Sequence, residues 1–401
     1  MRFDGSTTGD EDAPRPRDAT PAHPVSFTRL LLYLLELGSL GFGGPVATVG
    51  YLQRDLVERK RWLSRDDLLD GIALGQSMPG PLAAQVVMWI GYLRRGALGA
   101  LTAAAAFVLP SFALVLAIGF LYVRFGGLPA VRSVFYGVAP AVVAIVALAA
   151  VRLARMTDGR DPRLWSISAL AMVVTAVTGT EVALLVLGAG LLMLAWDAPP
   201  SWLRHPGVNG LLATPFAGIG LDGVASGVLV TLFLFFLKAG AFIFGSGLAI
   251  VPFLHEGVVD QQRWLTERQF LDAVAVGLIT PGPVVITAAF IGYLVAGLPG
   301  AVVAGIGIFT PIYLGVVIPG RWFIRHRDDP RVRAFTSGAT AAAAGAITGA
   351  TVILARQAIS DVPTILIALL SALFLWRLRF RLKEPLLVVA AGLAGLALRG
   401  L

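Results

Sequence analysis

Two ionisable residues stand inside apolar stretches, Glu36 within Leu30–Leu40 and Lys238 within Leu229–Phe244. A charge in a membrane span is costly and by default marks the path of an ion or proton, often beside a partner of opposite sign. The two residues could pair, or Lys238 could attract an anion while Glu36 carries protons. Placed near a membrane surface instead, both would snorkel toward headgroups. The second chemical feature is a Pro-Gly-Pro tripeptide that occurs twice, as Pro79-Gly80-Pro81 and Pro281-Gly282-Pro283, each inside a charge-free run (71–93 and 273–320). Two prolines around a glycine end one helical piece and let another begin. Asp70 to Pro79 is about 13 Å of helix, so the break is expected near mid-membrane. Gln76, Ser77 and Gln85 lie near the first break, and Thr280 and Thr287 near the second. These neutral polar groups suit either an oxyanion or core hydrogen bonding.

A third feature is the glycine cluster Gly38, Gly41, Gly43, Gly44 and Pro45, matched by Gly240, Gly245, Ser246 and Gly247. Small residues let membrane helices approach closely. They also let a helix unwind, and the free N–H groups at a helix N-terminus attract anions. After each cluster comes a polar link. The first contains Arg54 and Arg61, which could draw an anion to the mouth, although most charges in such links are solvated. Ser64 and Thr266 precede Asp67 and Gln269 by three residues, the spacing of a capping box.

The elements that must hold these groups are membrane helices. The 401 residues are 57% hydrophobic and 14% charged, with a mean hydropathy of +0.80. A soluble domain carries about 25% charge, and a spanning helix needs about 20 predominantly apolar residues. Apolar segments fall at about 27–52, 71–93, 97–123, 133–151, 164–180, 182–196, 223–254, 273–295, 298–320, 334–355, 362–376 and 385–398. The expected class is an all-α polytopic membrane protein with 10 to 13 membrane segments, since the runs are too long for barrel strands. Residues 1–26 read as a disordered tail. With no Cys, disulfides and thiolate chemistry are excluded, and four His leave little for a metal site. The net charge of +8 lies in short links between apolar runs, which argues against nucleic acid. Neither a nucleotide-binding GxxxxGK[ST] motif nor an HExxH motif is present, so no cofactor and no enzymatic activity are expected.

An internal repeat organises the chain. A shift of 202 residues brings 19 of the 51 positions from 31 to 81 into identity, including Arg61-Trp62-Leu63 on Arg263-Trp264-Leu265 and Pro79-Gly80-Pro81 on Pro281-Gly282-Pro283. With one residue deleted, Gly91-Tyr92-Leu93 falls on Gly292-Tyr293-Leu294, and Pro110 on Pro311. The halves are about 27–196 and 223–398, with 197–222 as linker. Repeated halves with interrupted helices are a signature of secondary transporters that bind substrate at the repeat interface. A channel would need the same parts.

Phe42-Gly43-Gly44-Pro45, the run from Val57 to Leu63 and Pro79-Gly80-Pro81 followed by Gln85 resemble the first half of chromate ion transporters. The run from Lys238 to Gly247, Asp272 and Thr280-Pro281-Gly282-Pro283 resemble the second half. The similarity extends over nearly all of 27–398. It implies an inner-membrane, two-half transporter in the long-chain form, with halves in opposite orientations. Its implied partners are chromate or a sulfate-like oxyanion, a coupling ion expected to be the proton, and the bilayer; a homodimer is compatible. One departure is Gly75-Gln76-Ser77-Met78, where the family often has Cys and an aromatic or aliphatic pair. Charge counting makes the links 152–163 and 321–333 cytoplasmic. Simple alternation would then put the equally basic 53–70 link outside, unless a segment is re-entrant.

Overall fold

The computed structural model describes residues 25–41, 44–125, 128–178, 182–198, 227–243, 247, 250–320, 322, 329–377 and 383–399. The expected tail and linker fall almost wholly outside these. The first half contains α1 (Phe27–Leu40), α2 (Gly44–Leu52) continued by a π-helical stretch Gln53–Arg59, α3 (Arg65–Ser77), α4 (Leu82–Phe125), α5 (Pro129–Asp158), α6 (Pro162–Thr178) and α7 (Val182–Asp197). The second half repeats them in order. These are α8 (Val228–Ala241), α9 (Ile250–His255) with a π-helical stretch Glu256–Gln261, α10 (Glu267–Ile279), α11 (Thr287–Val317), α12 (Pro330–Ala358), α13 (Val362–Arg377) and α14 (Lys383–Arg399). The protein is an all-α polytopic membrane protein built from two homologous halves. Helices α4, α5, α11 and α12 are long and apolar enough to cross a membrane.

The repeat extends to backbone detail. Helix α4 breaks at Arg95 (φ −141°) and Gly96 (φ 61°), and α11 at Ala296 (φ −143°) and Gly297 (φ 63°). Each break is a tight reversal. A Cβ on Gly91 would lie 2.2 Å from the Gly99 carbonyl, and one on Gly292 2.3 Å from that of Gly300. Residues eight apart on one straight helix would be about 12 Å apart. Both loop arginines before the tryptophans, Arg61 and Arg263, have positive φ (52° and 51°). The capping spacing is realised: Ser64 accepts from the Asp67 N–H, and Thr266 forms a reciprocal box with Gln269.

The Pro-Gly-Pro segments are the tips of helical hairpins rather than breaks in straight spans. Trp89 Nε1 donates to the Asp67 carbonyl at 2.9 Å, and Arg94 reaches the Trp62 carbonyl. These contacts lay α3 antiparallel to Leu82–Arg94. Helix α3 has 13 residues, about 20 Å, against a hydrocarbon core about 30 Å thick. Such a hairpin enters the membrane and returns to the same side. Helices α1 and α2 make a second, more open hairpin. The Tyr33 hydroxyl reaches Asp55 Oδ2 at 3.2 Å, while Lys60 Nζ lies 4.5 Å from both the Tyr33 and Trp62 rings. In the second half Phe235 stacks on Phe253 and meets Trp264 edge-on, closing the matching hairpin.

The halves run in opposite directions. The Tyr313 hydroxyl donates to the Ala97 carbonyl at 3.1 Å, a Cβ on Gly305 would meet Phe112, and one on Gly119 would meet Tyr293. The long arms of α4 and α11 are therefore antiparallel. The outer helices are exchanged between halves. Gly345 and Gly349 of α12 press on the Ser168 and Met172 carbonyls of α6, and Gly137 of α5 presses on Ala391 of α14. Small residues at crossings are the expected means of close membrane packing.

This topology places Arg54, Arg59, Lys60, Arg61, Arg65, Arg94, Arg152, Arg155, Arg160, Arg163, Arg331, Arg333 and Arg377 at one end of the bundle. The conflict in charge counting disappears, because two re-entrant hairpins precede the first full crossing and leave the 53–70 link on the same side as 152–163. At this basic end Arg54 holds Asp55 through Nε–Oδ1 at 2.8 Å and Nη2–Oδ2 at 2.9 Å. The Arg54 hydrogen bonds keep the Asp55 carboxyl below its ordinary 3.8. A depressed folded-state value gives stability that is present above about pH 4 and lost as pH falls through the folded value. Thermal unfolding should show wild type above Asp55→Asn at pH 7, with the small difference vanishing as pH falls through the folded value.

Candidate functional site

Four hairpin tips converge at the centre of the molecule, two from each end. The Gly80 N–H donates to the Ile243 carbonyl at 2.6 Å, and the Gly282 N–H donates to the Gly41 carbonyl at 3.4 Å. Gly80 corresponds to Gly282 and Gly41 to Ile243 in the repeat, so these bonds are one contact made twice about a pseudo-two-fold axis. Each Pro-Gly-Pro tip is thus tied to the glycine-rich tip of the opposite half. Gly247 joins them, since a Cβ there would sit 3.6 Å from Pro81 Cβ. Among the residues expected to form the site, the structure therefore brings together Gly80, Pro81, Gly247 and Gly282. Pro79 and Pro281 are joined to them by side-chain hydrogen bonds.

Gln85 is fully buried, and its Nε2 donates to the Pro79 carbonyl at 2.9 Å and the Met78 carbonyl at 3.4 Å. Among the described residues its Oε1 is buried without a hydrogen-bond partner. The amide thus ties the second arm of the hairpin to its tip. On the other side Ser111 Oγ donates to the Pro281 carbonyl at 2.5 Å and lies 3.4 Å from the Gly38 carbonyl. The hydroxyls of Thr280 and Thr287 donate to the Val276 and Val284 carbonyls, so their protons are committed within their own segments. Pro283 is buried behind its tip.

Other expected residues stand apart. Glu36 and Lys238 are exposed on α1 and α8, and no ion pair joins them; Lys238 Nζ lies 5.9 Å from the Phe253 ring centre. Gln76 is exposed, Ser77 half-buried, and Arg54 is bound to Asp55 at the basic end. Gly44 begins α2, with Pro45 beside it in that helix. Gly43, Gly245 and Ser246 lie outside the described residues. No group of three or more His, Asp or Glu suited to a metal occurs among the described residues, and the chain has no Cys.

The chromate transporter family matches residues 28–194 and again 230–396, one match for each half. The chain belongs to the chromate transporter family. Among its chromate-transporter relatives, the chromate transport protein of Cupriavidus metallidurans is 50% identical over 96% of this chain and 98% of its own length. A probable chromate transport protein of Synechococcus elongatus is 48% identical over 93% and 96%. The chromate transport protein of Pseudomonas aeruginosa is 32% identical over 97% and 98%. No solved structure matches the chain.

Two features of this chromate transporter family member escaped the reading of its residues. Ser111 bridges the halves, and its signal was a hydroxyl inside an apolar run beside the repeated Pro110, where the second half has Ile312. Asp272 is buried and accepts a hydrogen bond from the Tyr122 hydroxyl at 2.6 Å. In the sequence it stood out as one of the residues that carry the resemblance to the second half of chromate ion transporters, with no role in a site.

Proposed function

We propose that this chain is a secondary active transporter that exports chromate, or a related tetrahedral oxyanion such as sulfate, across the inner membrane. The observation that carries the reading is the reciprocal pair of hydrogen bonds from Gly80 to Ile243 and from Gly282 to Gly41. In this conformation each tip N–H is satisfied by a carbonyl of the opposite half. If one half rocks against the other, both N–H groups come free at mid-membrane, where an oxyanion can replace the lost acceptors. The N-terminal ends of α2 and α4 also point to the crossing, and oriented helix ends favour negative charge.

The basic end is cytoplasmic in this reading, by the excess of Arg and Lys in its short links. Export then runs from the basic end toward the end that carries Arg132 and Arg268. The family membership and the relatives named chromate transport proteins support the choice of substrate. The proton is proposed as the coupling ion.

The test is uptake into inside-out vesicles containing the protein. With a proton gradient imposed, chromate should accumulate, excess sulfate should compete, and a protonophore should abolish accumulation. Flux that only follows the chromate gradient would identify a channel instead. No movement of chromate or sulfate under any gradient would overturn the proposal.

A further inference from the structure

Away from the crossing, at the end opposite the basic one, α4, α5 and α10 enclose a cavity of about 200 Å³ lined by Tyr122, Val131, Arg132, Phe135, Arg268 and Asp272. Arg132 and Arg268 are exposed at its mouth, and Asp272 is 3% exposed at its wall. Tyr122 meets Phe135 and Phe290 edge-on at 5.5 Å, so the carboxylate is reached through an apolar, aromatic wall. Among the described residues the phenol is its one hydrogen-bond partner. Arg268 lies one turn earlier on α10, and its Nη2 donates to the Arg132 carbonyl at 3.1 Å rather than to Asp272. The ionisable groups facing Asp272 are Tyr122 from α4, Arg132 from α5 and Arg268 from α10 itself. Among the described residues the other helices packed on α10 add none to the lining.

A buried carboxylate with one neutral donor is poorly compensated as an anion. Two guanidinium groups at the mouth are suited to the oxygens of an oxyanion. Val131 and Arg132 belong to the first turn of α5, the positive end of that helix's dipole. With Asp272 ionised, the lining carries a net single positive charge and a carboxylate that repels an anion. With Asp272 protonated, it carries two positive charges and matches a dianion. A water occupies about 30 Å³ of liquid volume, so the cavity holds a small tetrahedral ion with waters to spare. The arrangement belongs to one end only: the first half has Asp66 where the second has Arg268.

We propose that this cavity is a proton-linked binding site for a small tetrahedral oxyanion, with Arg132 and Arg268 holding the anion and Asp272 taking up the proton. The inference rests on reading the chain as an oxyanion transporter, and adds a second site about 13 Å along α10 from the central tip. Binding the anion and the proton together gives the outer end of the pathway a dependence on external pH.

Sulfate is the probe, because it stays a dianion from pH 5.5 to 8.5 and any pH dependence then belongs to the protein. Equilibrium dialysis of the purified full chain should show at least tenfold tighter sulfate binding at pH 5.5 than at pH 8.5, with protons taken up from weakly buffered solution as sulfate binds. Asp272→Asn should bind at pH 8.5 as wild type does at pH 5.5, with no pH dependence and no proton uptake. Arg268→Gln, a change at an exposed side chain, should weaken binding at pH 5.5 at least tenfold. Should Asp272→Asn fail to fold, proton uptake by wild type against Arg268→Gln decides the matter. Wild-type affinity independent of pH, an unchanged pH slope in Asp272→Asn, or unchanged binding in Arg268→Gln would each overturn the site. Those results alongside chromate accumulation in vesicles would leave the transport reading standing. Loss of both sulfate binding and oxyanion transport in wild type would remove both.

Discussion

Gly282→Ala should reduce chromate uptake into inside-out vesicles by at least tenfold while the protein still reaches the membrane. Gly282 has φ 94°, a conformation hostile to any residue with a Cβ, and the added atom would lie 2.3 Å from Ser111 Oγ. Backbone strain of this kind costs about 1–3 kcal/mol. The substitution also pushes on the hydroxyl that holds the Pro281 carbonyl, and through it on the Gly282 N–H bond to Gly41. The strain falls on the conformation in which the halves are joined. A transporter that must visit that conformation in every cycle loses rate in proportion to its population, about tenfold for each 1.4 kcal/mol. Adding Ser111→Ala to Gly282→Ala removes the clashing atom but not the unfavourable φ, so activity should recover only in part. Gly80→Ala tests the other half, where φ is 143° and the new Cβ would meet the Gln85 amide at 2.8 Å and Ile312 at 3.0 Å. Wild-type uptake by both single variants would show that the tips need not approach as they do here.

Much of this architecture was legible in the residues. The register that aligns Pro79-Gly80-Pro81 with Pro281-Gly282-Pro283 also aligns the capped helix starts and, with one residue deleted, the Gly91 and Gly292 turns, because each feature is local and each half carries its own copy. Helical class followed from run length alone. What escaped was the direction of the chain after each tip. A proline-glycine break in a charge-free run of about 23 residues is compatible with a span bent at its middle or a hairpin folded back on itself. Local propensity does not separate them. The better signal was charge: Arg65 before the run and Arg94 and Arg95 after it ask for the same side of the membrane. The pairing of Gly80 with Ile243 was out of reach for a different reason. Its partners are more than 160 residues apart and both contribute only backbone atoms, so no side chain advertises the contact.

Glu36 and Lys238 illustrate the opposite case. Their residue types stood out strongly, yet both are exposed on their helices and apart from the tip contacts, while the less conspicuous Gln85 and Ser111 hold the tips. Cost of burial identifies a charge that would be functional if buried; it cannot tell which face of a helix is turned inward. Facing is set by the glycines, which decide where helices touch.

Gly38→Leu and Gly240→Leu should each abolish the folded state, read as loss of monodisperse protein in detergent. A Cβ on Gly38 would lie 2.1 Å from the Phe107 carbonyl oxygen and 2.8 Å from its carbon, and one on Gly240 2.3 Å from the Ile308 carbonyl oxygen. The obstacles are backbone atoms, so no rotamer change relieves them, and α1 or α8 must move bodily away from the long arm it lies beside. Overpacking commonly costs about 1–3 kcal/mol even where side chains can yield. Here separation also forfeits the close van der Waals contact that drives helix association in lipid. Gly38→Ala should therefore lower the unfolding midpoint clearly. Gly96→Ala is the control: its φ is 61°, but no atom lies within 4 Å of the new Cβ, so it carries only the left-handed penalty of about 1–2 kcal/mol. If the order of the two alanine variants were reversed, conformational strain in the turn would outweigh the helix contact. The crossing would then be held by the tips and the exchanged outer helices, not by the glycine face of α1.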